Sequence, residues 1–77
     1  MPHISLKMLK GRTPAQKEAA AKKLTAALME AFGCGSHYIT VAIEDYSAEE
    51  WQEVFAKEIA ENPAIVKKPE YDPKSLL

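Results

Sequence analysis

The chain has 77 residues, 47% hydrophobic and 27% charged, which sets it as one small domain and excludes a disordered chain. Ten basic and eleven acidic residues give a net charge of -1, so the basic surplus of a nucleic-acid binder is missing. One cysteine excludes an internal disulfide, and no apolar run reaches membrane length. The start Met1-Pro2-His3-Ile4-Ser5 lacks the charged and apolar regions of a signal peptide, so the cytoplasm is the expected location, with neither nucleic acid nor membrane as a partner.

Along the chain the first segment alternates: Ile4, Leu6 and Met8 point one way, His3, Ser5 and Lys7 the other, which predicts a half-buried strand. Gly11-Arg12 turns the chain. Thr13-Pro14-Ala15-Gln16 reads as a capping box, and the helix it opens is expected to run to about Phe32, with Gly33 as the left-handed cap. Its expected apolar stripe is Ala20, Leu24, Ala27, Leu28 and Ala31, with Glu18 and Lys22 paired on the wet side. Cys34-Gly35-Ser36-His37 is expected to be a loop, and Tyr38–Glu44 a second strand with Ile39, Val41 and Ile43 on one face. Ser47-Ala48-Glu49-Glu50 is a second capping box, opening a helix that carries Trp51, Val54, Phe55 and Ile59 and stops at Asn62-Pro63. The tail from Ala64 to Leu77 is expected to be irregular and packed over a neighbour.

Strand, long helix, strand makes an α/β fold: a β-α-β unit over residues 2–46, with an added C-terminal helix over 47–62 and a tail over 63–77, all in the single domain 1–77. The crossover should be right-handed and the strands parallel. Two parallel strands covered by one helix leave a face and both edges open, so a partner subunit is expected to extend the sheet.

Few residues announce chemistry. The glycines Gly11, Gly33 and Gly35 form no phosphate loop, and Cys34 with His37 supplies two ligands, too few for a metal site. Cys34 lacks an evident orienting partner for nucleophilic work, His3 reads as a polar-face residue, Glu44-Asp45 as a strand end and Lys67-Lys68 as a solvated stretch. Pro2 differs in kind. An initiator Met is removed when the next residue is small, and the chain would then begin with a secondary amine. A free α-amino group titrates near pH 7.7–8, and desolvation or a nearby cation lowers that value further, as a general base requires. Arg12, at the strand-to-helix turn, can hold a carboxylate through two parallel hydrogen bonds. Trp51 and Phe55, at helical spacing, read as core or as the apolar wall of a pocket.

The stretch Pro2-His3-Ile4-Ser5-Leu6-Lys7-Met8-Leu9-Lys10-Gly11-Arg12-Thr13, continuing through Gln16-Lys17, resembles the 4-oxalocrotonate tautomerase family of small β-α-β enzymes. Ile39 to Glu44 falls at the family's spacing for the second strand, so the resemblance covers most of residues 2–46. The rest, Ser47-Ala48-Glu49-Glu50-Trp51 and Lys67-Lys68-Pro69-Glu70-Tyr71, is similar to a longer branch of probable tautomerases. In that branch a full second helix replaces the short hairpin of the typical hexamers.

The resemblance implies keto–enol tautomerisation of a 2-oxo acid or its enol, with Pro2 as general base and acid, Arg12 on the carboxylate, and no metal or organic cofactor. It also implies a dimer that joins two units into a shared four-stranded sheet. Thr40 stands where the typical hexamers carry a second arginine, which disfavours a dicarboxylate; an aromatic monocarboxylate fits Trp51 and Phe55 better. The added helix should obstruct hexamer formation, so a homodimer is expected. If Met1 stays attached, the Pro2 nitrogen is an amide and no base. The competing reading is a non-catalytic ligand-binding or scaffold protein that keeps the fold; dehalogenase or hydratase chemistry through the same Pro2 is a third.

Overall fold

The computed structural model describes all 77 residues. Its elements are β1 (His3–Leu9), α1 (Pro14–Phe32), a 3-10 turn (Ser36–Tyr38), β2 (Thr40–Tyr46), α2 (Ala48–Val54), a π-helical turn (Phe55–Ile59) and a last 3-10 turn (Pro73–Leu76). β1 and β2 pair in a two-stranded sheet. The Thr40 N–H donates to the Pro2 carbonyl at 3.2 Å, and the Lys10 N–H donates to the Tyr46 carbonyl at 2.9 Å. Start pairs with start and end with end, so the strands are parallel, as a β-α-β connection requires. Packing divides the chain into two compact units: Met1–Lys7 with Gly11–Glu44, and Met8–Lys10 with Asp45–Leu77.

In the first unit both ends of α1 follow from the sequence. Thr13 Oγ1 accepts from the Gln16 N–H at 3.1 Å while Gln16 Oε1 accepts from the Thr13 N–H at 2.9 Å. Two amides that the helix cannot satisfy thus find side-chain partners. At the other end Gly33 takes φ 67°, where a Cβ is penalised, and its N–H donates to the Met29 carbonyl. The half-buried row on α1 is Lys17, Ala20, Ala21, Leu24, Thr25 and Leu28. Ala27 and Ala31 of the expected stripe are exposed instead. The true row takes in a lysine, whose stem can lie along apolar surface, and a threonine, whose hydroxyl donates to the Ala21 carbonyl at 2.8 Å. Ile4 and Leu6 of β1 and Val41 and Ile43 of β2 are half-buried as well.

The second strand begins two residues later than expected. Ser36–Tyr38 close a 3-10 turn through Tyr38 N–H to Gly35 carbonyl at 3.2 Å and Ile39 N–H to Ser36 carbonyl at 3.0 Å. Tyr38, a strand-former by propensity, is captured by this local turn, with its ring 4.1 Å from that of His37.

The second unit holds the one buried residue of the chain, Trp51 at 8% exposure. Ser47 Oγ accepts from the Glu50 N–H at 3.0 Å, and Glu50 Oε1 accepts from the Ser47 N–H at 2.7 Å. That backbone bond first, and the Ser47 hydroxyl second, hold the Glu50 carboxyl below its ordinary value. The expected helix over 47–62 is shorter and changes pitch. After Val54 it widens into the π turn, marked by Ala60 N–H to Phe55 carbonyl at 2.9 Å. Asn62 ends it: its Nδ2 donates to the Glu58 carbonyl at 2.8 Å, and its Oδ1 accepts from the Ala64 N–H at 2.9 Å. The tail returns to α2, where Gln52 Nε2 donates to the Pro73 carbonyl at 2.7 Å.

Candidate active site

The start of β1 is tied to the start of β2. The Pro2 carbonyl accepts from Thr40, and the amino group of Met1 donates to the Tyr38 carbonyl. Next along, His3 Nδ1 lies 2.6 Å from Thr40 Oγ1. Parallel pairing sets a register of 37 residues between these partners. The same register places Lys7 Nζ 3.3 Å from Glu44 Oε1, and Lys7 also donates to Ser5 Oγ at 3.0 Å. His3, Ser5, Lys7, Thr40 and Glu44 therefore make one polar face, with the half-buried apolar residues on the other. Pro2 is half-buried and His3 and Thr40 are exposed. With Met1 attached the Pro2 nitrogen is an amide whose lone pair is delocalised, so it is no base in that form.

Arg12 lies past the other end of β1. Gly11, at φ 126°, supplies a backbone that side-chain-bearing residues rarely adopt, and this bends the chain from strand to helix. Arg12 is exposed and has no ion pair within the chain. The seven residues of β1 make six steps of about 3.3 Å, which sets roughly 20 Å between the strand's ends. Pro2 and Arg12 of one chain are thus too far apart to hold the same small molecule.

Trp51 and Phe55 are placed by the second unit. The Trp51 indole N–H donates to the Tyr71 hydroxyl at 3.0 Å, and the ring meets Tyr46 edge-on at 6.3 Å. Phe55 is half-buried and meets the Tyr71 ring edge-on at 5.6 Å. These contacts make an aromatic cluster of Tyr46, Trp51, Phe55 and Tyr71.

Three hollows are lined by residues other than Pro2, Arg12, Trp51 and Phe55. In the first unit a groove of about 410 Å³ runs past Ala21 and Thr25 of α1 and Ile39 and Val41. In the second, two hollows of about 380 and 370 Å³ share Ile59, Ile65, Lys68 and Pro69. No three His, Cys, Asp or Glu side chains are grouped to hold a metal ion, and no helix is long and apolar enough to cross a membrane. Cys34 is half-buried with its thiol 4.0 Å from the Leu28 carbonyl. Reading by residue type missed the pairing of His3 with Thr40. It follows from the strand register, which sets His3 against Thr40 and Lys7 against Glu44, each 37 positions on.

The family model of the tautomerase enzyme matches residues 2–56. A probable tautomerase of Xylella fastidiosa is 34% identical over 73 residues, covering 92% of this chain and 89% of the relative. A 2-hydroxymuconate tautomerase of Comamonas testosteroni is 43% identical over 51 residues, covering 66% and 81%. Among solved structures, a 4-oxalocrotonate tautomerase isozyme from Methylibium petroleiphilum superposes with a TM-score of 0.62 at 38% identity, covering 65% of this chain and 81% of that one. Motif, β-α-β frame and these likenesses agree, and the chain belongs to the tautomerase family of isomerases.

Proposed function

We propose that the protein interconverts the keto and enol forms of a 2-oxo acid carrying one carboxylate, preferably an aromatic one. Pro2, freed of Met1, is the general base and acid that moves the proton between oxygen and carbon. Arg12 binds the carboxylate and stabilises charge that develops as the enolate forms. No cofactor enters this reading. The observation that carries it is the placing of Pro2. The ring is half-buried at the head of β1, and its carbonyl is tied to Thr40, so the nitrogen is held on a fixed strand end.

The working site is shared between two copies in this proposal. Pro2 and Arg12 lie at opposite ends of β1, and antiparallel twofold pairing brings the head of one β1 near the foot of the other. Pro2 then meets Arg12 of the partner subunit. A dimer is supported further by the thin core: Trp51 alone is buried, and each strand of the two-stranded sheet keeps an unpaired edge. Thr40 offers a hydroxyl and no charge, which suits a substrate with one carboxylate. Trp51 and Phe55 are proposed as the aromatic surface that favours an aromatic substrate. Replacing Pro2 tests the reading: Pro2→Ala is expected to lower kcat/KM for phenylenolpyruvate ketonisation by about tenfold or more, and an unchanged rate on protein lacking Met1 removes the proline mechanism.

A further inference from the structure

On the polar sheet face His3 Nδ1 lies 2.6 Å from Thr40 Oγ1. It lies one residue from Pro2 on β1, and the same Thr40 holds the Pro2 carbonyl through its N–H. Two exposed polar side chains gain little stability from one hydrogen bond in water. What the bond fixes is a ring. With Nδ1 committed to Thr40, the imidazole is oriented, and Nε2 is the nitrogen left open to solvent. A neutral imidazole whose Nδ1–H is donated to the threonine hydroxyl carries its lone pair on Nε2.

Resting on the proline reading above, we propose that His3 is the second proton-handling residue of the site, oriented by Thr40. Keto–enol exchange needs a proton removed at one atom and one delivered at another. In this division Pro2 keeps the proton exchange at carbon and His3 takes the one at oxygen: in ketonisation the enol O–H gives its proton to His3 Nε2 while protonated Pro2 gives one to carbon, and the C=C pair becomes the new C–H bond. The substrate ends with the protons it began with; one proton has passed from Pro2 to His3, and solvent returns both groups to their starting states. Enolisation is the reverse. Thr40 acts through His3 and is a positioning residue.

The titratable groups beside His3 are few. They are the Pro2 amine, freed with the loss of Met1, and, on the 3-10 turn just before Thr40, the side chains of His37 and Tyr38, whose tilted rings have centroids 4.1 Å apart. Farther along the same face, Lys7 and Glu44 pair with each other. No carboxylate is bonded to the His3 ring, so Thr40 is its orienting partner.

Asparagine separates the two ring nitrogens. His3→Asn keeps an amide where Nδ1 stood and so retains the tie to Thr40, but it has nothing at the place of Nε2. In protein confirmed by intact mass to begin at Pro2, His3→Asn is expected to lower kcat for phenylenolpyruvate about tenfold or more with little change in KM, and to lose the acidic limb of the pH–rate profile. Thr40→Val is expected to give a smaller fall in kcat, because the ring loses its orientation and keeps its chemistry. Wild-type kcat and pH profile in His3→Asn, beside a clear loss in Pro2→Ala, overturn the role of His3 and leave the proline reading standing. Full activity in Pro2→Ala overturns both. A second measurement needs no variant. Benzoylformate is a 2-oxo acid that cannot enolise, and at saturation it should shift the ring resonances of His3; absence of that shift also overturns the proposal.

Discussion

Trp51 and Tyr71, twenty positions apart, are joined by a 3.0 Å hydrogen bond from the indole N–H to the phenol oxygen. The bond binds the tail to the one buried side chain of the protein. Tyr71→Phe keeps the ring against Phe55 and deletes the acceptor, leaving a buried donor unsatisfied. A loss of about 1–3 kcal/mol is expected, read by thermal unfolding with the fluorescence of the single tryptophan as probe. An unchanged midpoint would show that this hydrogen bond adds nothing to stability.

The second prediction concerns acid. Ser47 holds the Glu50 carboxyl below the ordinary 4.5, so the folded state favours the carboxylate. The resulting stability is fully present above that value and is lost as pH falls through the folded one. Glu50→Gln keeps an oxygen for the capping box and does not titrate. Its unfolding midpoint should therefore fall less steeply than that of the wild type as the pH is lowered below about 4.5. Parallel acid slopes for the two proteins would contradict the assignment.

Much of this architecture was legible because its signals are local. Thr13 with Gln16, Ser47 with Glu50, and Gly33 each declare a helix end within a few residues. The failures were non-local or competitive. Tyr38 looks like a strand residue until Gly35 and Ser36 draw it into a turn, and the α1 row includes Lys17 and Thr25, which hydropathy alone passes over. The π turn after Val54 has no sequence signature. Of the residues proposed for the site, Pro2 and Arg12 stood out by chemistry and spacing, whereas the partnership of His3 with Thr40 needed the strand register.

Arg12 supplies a third prediction. Arg12→Ala should weaken binding of 2-oxo acids more than that of uncharged analogues, because the missing contact is with a carboxylate. Equal losses for both ligand types would remove it from the site.

Shared sites also predict complementation. Mixing Pro2→Ala and Arg12→Ala protomers under exchanging conditions leaves each mixed dimer with one intact site, and roughly a quarter of wild-type activity should return. No recovery would contradict a site shared between the two subunits. Light scattering fixes the assembly: about 17 kDa is expected, twice the 8.5 kDa of one chain, whereas about 51 kDa would indicate a hexamer and 8.5 kDa a monomer.

The central claim is that the nitrogen of Pro2 is the base, and one comparison addresses it. Protein that begins at Pro2 and protein that retains Met1 are separated by intact mass, and phenylenolpyruvate ketonisation is measured on each. A secondary amine can take a proton and an amide nitrogen cannot, so the account predicts turnover in the first and a rate at the uncatalysed level in the second. Equal turnover in both forms would contradict it.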